Sequence, residues 1–236
     1  MTPNVPLSPP VREAHGAVVF FFDCDNTLLD NDRFKNDLDS HLKHHFGLEG
    51  AARYWQLYDQ LRGELGYADY LGSVQRLRIG AESDPRFADL SSFLLNYPFA
   101  SLLHAGALDV LAHCRAWGNT AILSDGDSVF QPRKLQRSGL WDAVDGRVLI
   151  YIHKEKSIDE VMQGYPARRY VMIDDKLSIL TAMKAILQNR LTTVWPRQGH
   201  YAREANAADY PAADLTVDRI GDLARYDFST LLAEQR

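Results

Sequence analysis

Cysteine is scarce: Cys24 and Cys114 are the two in 236 residues. Two are too few for a disulfide framework or a thiolate metal cage, so the expected compartment is a reducing cytoplasm. Long apolar runs are missing as well. The longest, Ala17 to Phe22, is far too short to span a bilayer. The opening Met1–Pro10 carries four prolines and has neither a basic start nor an apolar core, which argues against a secretory signal and predicts a loose arm. Basic residues do not form blocks, and the net charge is −5, so neither nucleic acid nor an anionic membrane surface is an expected partner. Internal repeats, heptads and low-complexity tracts are also lacking. At 46% apolar residues the chain can still bury a full core, as one domain with an insertion or two small domains.

Short apolar runs alternate with helical stretches, a pattern that predicts an α/β fold with a Rossmann-like parallel sheet flanked by helices. The predicted strands are Ala17 to Asp23, Thr120 to Ser124, Arg147 to Ile152, Tyr170 to Asp174, Leu191 to Trp195 and Asp214 to Val217. Nearly a hundred residues separate the first two, more than a crossover requires. Helical spacing fills that gap in four segments: Phe34, Leu38, Leu42 and Phe46 up to Gly47; Tyr54 to Leu65 before Gly66; Leu71, Val74 and Leu77; and Phe87 to Tyr97 before Pro98. The expected organisation is an arm over residues 1–15, a core over 16–29 and 100–236, and an inserted helical cap over 30–99. Its position directly after the first strand would let the insert lie over a site as a lid.

The first strand runs into Asp23-Cys24-Asp25, two carboxylates one residue apart. Phosphoryl transfer through an aspartyl intermediate needs such a pair, one to attack phosphorus and one to carry a proton to and from the leaving oxygen and water. A polar turn after a buried strand is the plainer reading of the segment alone. Cys24 is assigned to packing. The second strand ends Ser124-Asp125-Gly126, where a hydroxyl and adjacent N–H groups could cradle phosphoryl oxygens, although a simple turn has the same composition. The third leads into His153-Lys154-Glu155-Lys156; Lys154, or alternatively Lys156, could neutralise the charge shared by nucleophile and phosphoryl group. The fourth ends Asp174-Asp175, a pair suited to a hard cation such as Mg²⁺ or, more plainly, to capping a helix. Strand tips of an open α/β sheet converge at its carboxyl edge, and four carboxylates there would call for a cation.

The ordered set DxDxT at Asp23 to Thr27, Ser124, Lys154 and Asp174-Asp175 resembles the four motifs of the haloacid dehalogenase-like (HAD) hydrolases, in their C1-capped phosphatase form. The resemblance implies that Asp23 is the nucleophile and Asp25 the general acid and base. Thr27, Ser124, Asp125, Gly126 and Lys154 would hold the phosphoryl group; Asp23, the backbone carbonyl of Asp25, Asp174 and Asp175 would hold Mg²⁺. A second aspartate at the Asp25 position marks phosphatases rather than dehalogenases in that family. The lysine segment lacks the common Lys-Pro pair, and the acidic pair lacks the usual preceding glycine.

A small phosphorylated substrate, a monomer or homodimer, and no nucleic acid or membrane partner are the resulting expectations. Dehalogenation, phosphonate hydrolysis and a non-catalytic HAD-like binding role are the alternatives. A signalling receiver would place its acidic pair before the phosphoacceptor, the reverse of the order here. His41, His44 and His45 read as surface imidazoles, and Tyr54, Trp55 and Tyr58 as either pocket lining or helix packing. Arg53, Arg62, Arg76 and Arg78 are candidates for gripping a second anionic group, most of them being solvated charges. Arg197 to Tyr201 could reach the cleft rim.

Overall fold

Residues 18–203 and 209–229 are described by the computed structural model; the arm expected over residues 1–15 lies outside them. Six parallel strands, β1 (Val18–Phe22), β2 (Asn119–Asp125), β3 (Val148–Tyr151), β4 (Arg169–Ile173), β5 (Leu191–Pro196) and β6 (Leu215–Val217), make one sheet in the order β3-β2-β1-β4-β5-β6. The order reverses at β1, and that switch point is where a ligand cleft opens in such sheets. All five residues of β1 are buried. A central parallel strand is covered on both faces, which is why it reads as a continuous apolar run without alternation. Val18, Phe20 and Phe22 join one core cluster and Val19 and Phe21 the other, one on each side of the sheet.

Register sets the site. Phe22 pairs with Ile173 on β4 and with Ile122 on β2, so the residues that follow β1 and β4 emerge side by side. The Asp23 N–H donates to the Ile173 carbonyl at 2.9 Å, carrying the ladder one residue past the strand.

Between β1 and β2 the chain forms α1 (Asn31–Leu65), α2 (Tyr70–Leu77) and α3 (Arg86–Asn96). Gly47, at φ 70° and ψ −179°, is non-helical, so the span α1 holds two helices that meet at this kink, the two segments that the spacing predicts. The outgoing and returning strands of this insert pair with each other: Asp30 N–H donates to Leu102 O at 2.8 Å and His104 N–H to Leu28 O at 3.0 Å. A hub of rings ties the insert to the rest. Phe34 of α1 meets Tyr70, Tyr97, Phe99 and Phe130, with centroids 5.1 to 5.6 Å away. Phe130 opens α5 (Phe130–Ser138), which follows β2. Helices α4 (Ala107–Cys114) and α6 (Leu140–Ala143) share that side, while α7 (Ile158–Gly164) and α8 (Leu177–Leu187) cover the opposite face.

Among the described residues no helix is long and apolar enough to cross a membrane.

Candidate active site

Asp23 and Asp25 sit where β1 ends, in a turn shaped by local chemistry. Asn26 takes φ 63°, a left-handed conformation that asparagine tolerates, and its side-chain oxygen accepts the N–H groups of Asn31 and Asp32 at 3.0 and 3.1 Å, starting α1. The segment after β5 braces this turn. Gln198 donates to the carbonyls of Asn26 and Thr27 at 2.8 and 2.7 Å, and His200 Nδ1 lies 2.6 Å from Asp32 Oδ1. Gly199 packs so closely that a Cβ there would fall 2.6 Å from Asn26 Cβ, and its φ of +71° also favours glycine.

Four strand ends bring their side chains together. Lys154, in a short 3₁₀ turn over Lys154–Lys156, is fully buried, with its ammonium 2.5 Å from Asp23 Oδ1 and 2.7 Å from Asp174 Oδ2. Burial works against its charge, but Asp174 and Asp23 more than offset that and hold its pKa well above the ordinary lysine value. Lys156 is exposed. Of the two alternatives, Lys154 is therefore the one that reaches the carboxylates.

Asp23, Asp174 and Asp175 are all buried, and each offers an oxygen within 4.8 Å of the others. Asp174 Oδ1 accepts the Lys176 N–H at 2.8 Å. Neither side-chain oxygen of Asp175 has a hydrogen-bond partner, although the residue is 1% exposed. Burial first, then Asp174 and Asp23, push the Asp175 carboxyl well above its usual range. Two buried carboxyl oxygens without a protein partner are costly to leave uncompensated, and a bound cation would complete them. The donor set is all oxygen and suits a hard ion such as Mg²⁺.

The remaining expected residues have more structural partners than their motifs suggested. Thr27 Oγ1 accepts the Asp175 N–H at 3.0 Å, clasping the first motif to the fourth. Asp125 Oδ1 accepts the Lys154 N–H at 2.7 Å, and burial raises this carboxyl. Gly126 donates its N–H to the Tyr151 carbonyl at 2.9 Å, one step beyond the β2–β3 ladder, and so does not present it to the cleft as the expected cradle would. Ser124 is 1% exposed, and its hydroxyl accepts from Gln131 Nε2 at 2.9 Å.

Cys24 is buried in the core, where burial raises its thiol pKa strongly. Tyr54 is buried and donates to the Tyr70 carbonyl at 3.0 Å; Trp55 donates to Asp39 at 2.9 Å. Both are packing residues. His41 stacks on Phe93 at 4.1 Å, and burial lowers its pKa. Among the described residues the only cluster of potential metal ligands is the acidic one.

Sequence reasoning missed Lys134. This lysine is fully buried on α5, with its ammonium 2.7 Å from Asp25 Oδ1 and 3.2 Å from Asn31 Oδ1, over the rings of Phe130 and Phe34 at 5.5 and 6.0 Å. Burial opposes its charge, yet Asp25 holds its pKa above the ordinary value. The available signal was a lysine one helical turn after Phe130 and one before Ser138, on the stripe that should be apolar.

The strand tips thus bring together a buried ammonium between the Asp23 and Asp174 carboxylates, the Asp175 carboxyl without a protein hydrogen-bond partner, and the buried Ser124 hydroxyl. No family model matches this chain, and no curated protein does. Solved structures do. A candidate haloacid dehalogenase-like hydrolase from Burkholderia xenovorans is 59% identical over 90% of this chain and 99% of its own, with a TM-score of 0.84. L-2-haloacid dehalogenase of Xanthobacter autotrophicus has 19% identity, covers 89% of this chain and 97% of its own, and has a TM-score of 0.58. A candidate HAD-hydrolase of Bacillus subtilis, bound to magnesium, has 17% identity, covers 88% of this chain and 97% of its own, and has a TM-score of 0.51. The last two are likenesses of fold.

Proposed function

As the chain belongs to the haloacid dehalogenase-like hydrolases, we propose that it is a Mg²⁺-dependent phosphatase of a small phosphorylated metabolite, with the helices of residues 30–99 acting as a lid. The observation that carries this reading is Asp25: a second carboxylate two residues after Asp23, its Oδ1 2.7 Å from the buried ammonium of Lys134 and its side chain 29% exposed. Displacement of halide from carbon has no leaving oxygen to protonate. Cleavage of a phosphate ester does.

In the proposed cycle an Asp23 oxygen attacks phosphorus while Lys154 and Ser124 hold phosphoryl oxygens. The P–O bond to the leaving group breaks, and its electron pair takes the proton of Asp25. The alcohol departs. Water then loses a proton to Asp25 and attacks the aspartyl phosphate, returning Asp23 and inorganic phosphate. Asp23, Asp174, Asp175 and the Asp25 carbonyl are the groups that would hold Mg²⁺, as the orphaned oxygens of Asp175 and the magnesium of the Bacillus subtilis relative favour. When bound, that ion supplies positive charge against the repulsion between carboxylate and phosphoryl oxygens.

Asp23→Asn should lower turnover of p-nitrophenyl phosphate by about 10³-fold or more while circular dichroism and melting stay those of a folded protein. Chelation should silence the wild type and Mg²⁺ restore it. Near-normal turnover by the variant, or halide release from 2-haloacids by the metal-free protein in place of ester hydrolysis, would sink the reading.

A further inference from the structure

We propose that Gln131 is a positioning residue of this reaction: its side-chain amide fills an acceptor site of the Ser124 hydroxyl and so commits that hydroxyl to donating its proton to the phosphoryl group. The proposal rests on the phosphatase reading and adds a residue to the half of the site that holds the phosphoryl oxygens.

Local chemistry places Gln131. The Asp127 side chain accepts the N–H groups of Val129 and Phe130 at 2.8 and 2.6 Å, which fixes where α5 begins. Gln131 is the second residue of that helix and is 3% exposed. Gly126 leaves it room at the tip of β2: a Cβ on residue 126 would fall 3.0 Å from Gln131 Cβ and 3.1 Å from its Cγ. Gln131 Nε2 then lies 2.9 Å from Ser124 Oγ, in a contact buried from solvent. Lys134 follows three residues later and shares the buried face of α5. One helix thus sends an amide to the hydroxyl of Ser124 and an ammonium to the carboxylate of Asp25.

A serine hydroxyl has one proton to donate and two lone pairs that accept. The Gln131 N–H can occupy only a lone pair. The other partner of Ser124 Oγ among the described residues is the Asp125 carbonyl at 3.4 Å, a long contact with the adjoining residue, and a charged phosphoryl oxygen is the stronger acceptor. The Ser124 proton is therefore available to an anion at the strand tips. Donation from the amide also polarises the O–H that it leaves free, and at 1% exposure bulk water does not compete for it. An acceptor in the place of this amide would do the reverse, taking the Ser124 proton and turning a lone pair toward the phosphoryl group.

The test is a double-mutant cycle on p-nitrophenyl phosphate with Mg²⁺, in which wild type, Gln131→Met, Ser124→Ala and the double variant are compared, with inorganic phosphate titrated calorimetrically into each. Gln131→Met should lower both kcat/KM and phosphate affinity by about tenfold when Ser124 is present, and by clearly less in the Ser124→Ala background. Equal losses in the two backgrounds would mean that Gln131 acts through the fold, and would overturn the proposal. Gln131→Glu preserves the size of the side chain but, once ionised, can only accept. It should lose more than Gln131→Met does, although it is the closer match in shape; turnover and phosphate affinity at the wild-type level in Gln131→Glu would equally overturn the role. If the wild type hydrolyses no ester yet binds phosphate with this same coupling between Gln131 and Ser124, the phosphatase reading fails and the positioning role stands. If it binds no phosphate either, both fall.

Discussion

Lys134 has a chemical consequence beyond packing. A carboxylate that must deliver a proton and then recover one needs a fixed direction more than a fixed charge, and Lys134 and Asn31 supply it from a buried position. Lys134→Met should therefore reduce turnover by about 10²-fold on alkyl phosphates, whose leaving oxygen needs the proton, and clearly less on p-nitrophenyl phosphate. A merely structural loss would lower both equally. Stability should fall by only about 1–3 kcal/mol, measured by urea unfolding, because the Asp25 side chain is 29% exposed and water can replace its partner.

The long insert helix shows how one residue governs an element. Gly47 combines a positive φ with extended ψ, a conformation nearly confined to glycine, and a Cβ there would meet no atom within 4 Å. The strain from Gly47→Ala is thus purely backbone, about 1–3 kcal/mol. The midpoint of urea unfolding should fall in this variant; unchanged stability would show that the kink is not a constraint. Phe34 gives the complementary case. As the hub between insert and core, it should cost about 3–5 kcal/mol when replaced by alanine, read from the same unfolding curves.

For the molecule as a whole, the acidic cluster makes stability depend on pH and metal together. The folded state raises the Asp175 carboxyl above its unfolded value, so the native protein binds this proton more readily than the unfolded chain does. Without metal, stability should therefore fall as pH rises from the ordinary carboxylate range toward the folded pKa, and level off above it. Mg²⁺ competes with that proton, so its stabilisation should be greater at alkaline than at acidic pH. At about a hundred times its dissociation constant the gain is about 2.7 kcal/mol, or roughly 5–10 °C in Tm for a chain of this size. Melting curves in chelator and in Mg²⁺ across that pH range measure it; a shift independent of pH would count against direct binding to these carboxylates.

Strand identity, strand ends and the order of the four motifs were legible in the chain because each is local: a buried parallel strand reads as an apolar run, and a chemical group at its tip interrupts it. Fold class and family followed from those signals. The choice between Lys154 and Lys156 was not legible, since both lie in one short turn and only the fold buries one of them. Lys134 meets Asp25 across 109 positions, and Lys35 meets Tyr58 through a bend, so no spacing rule connects them. Periodicity tells which face of a helix is buried; what stands opposite that face is set by how the layers pack.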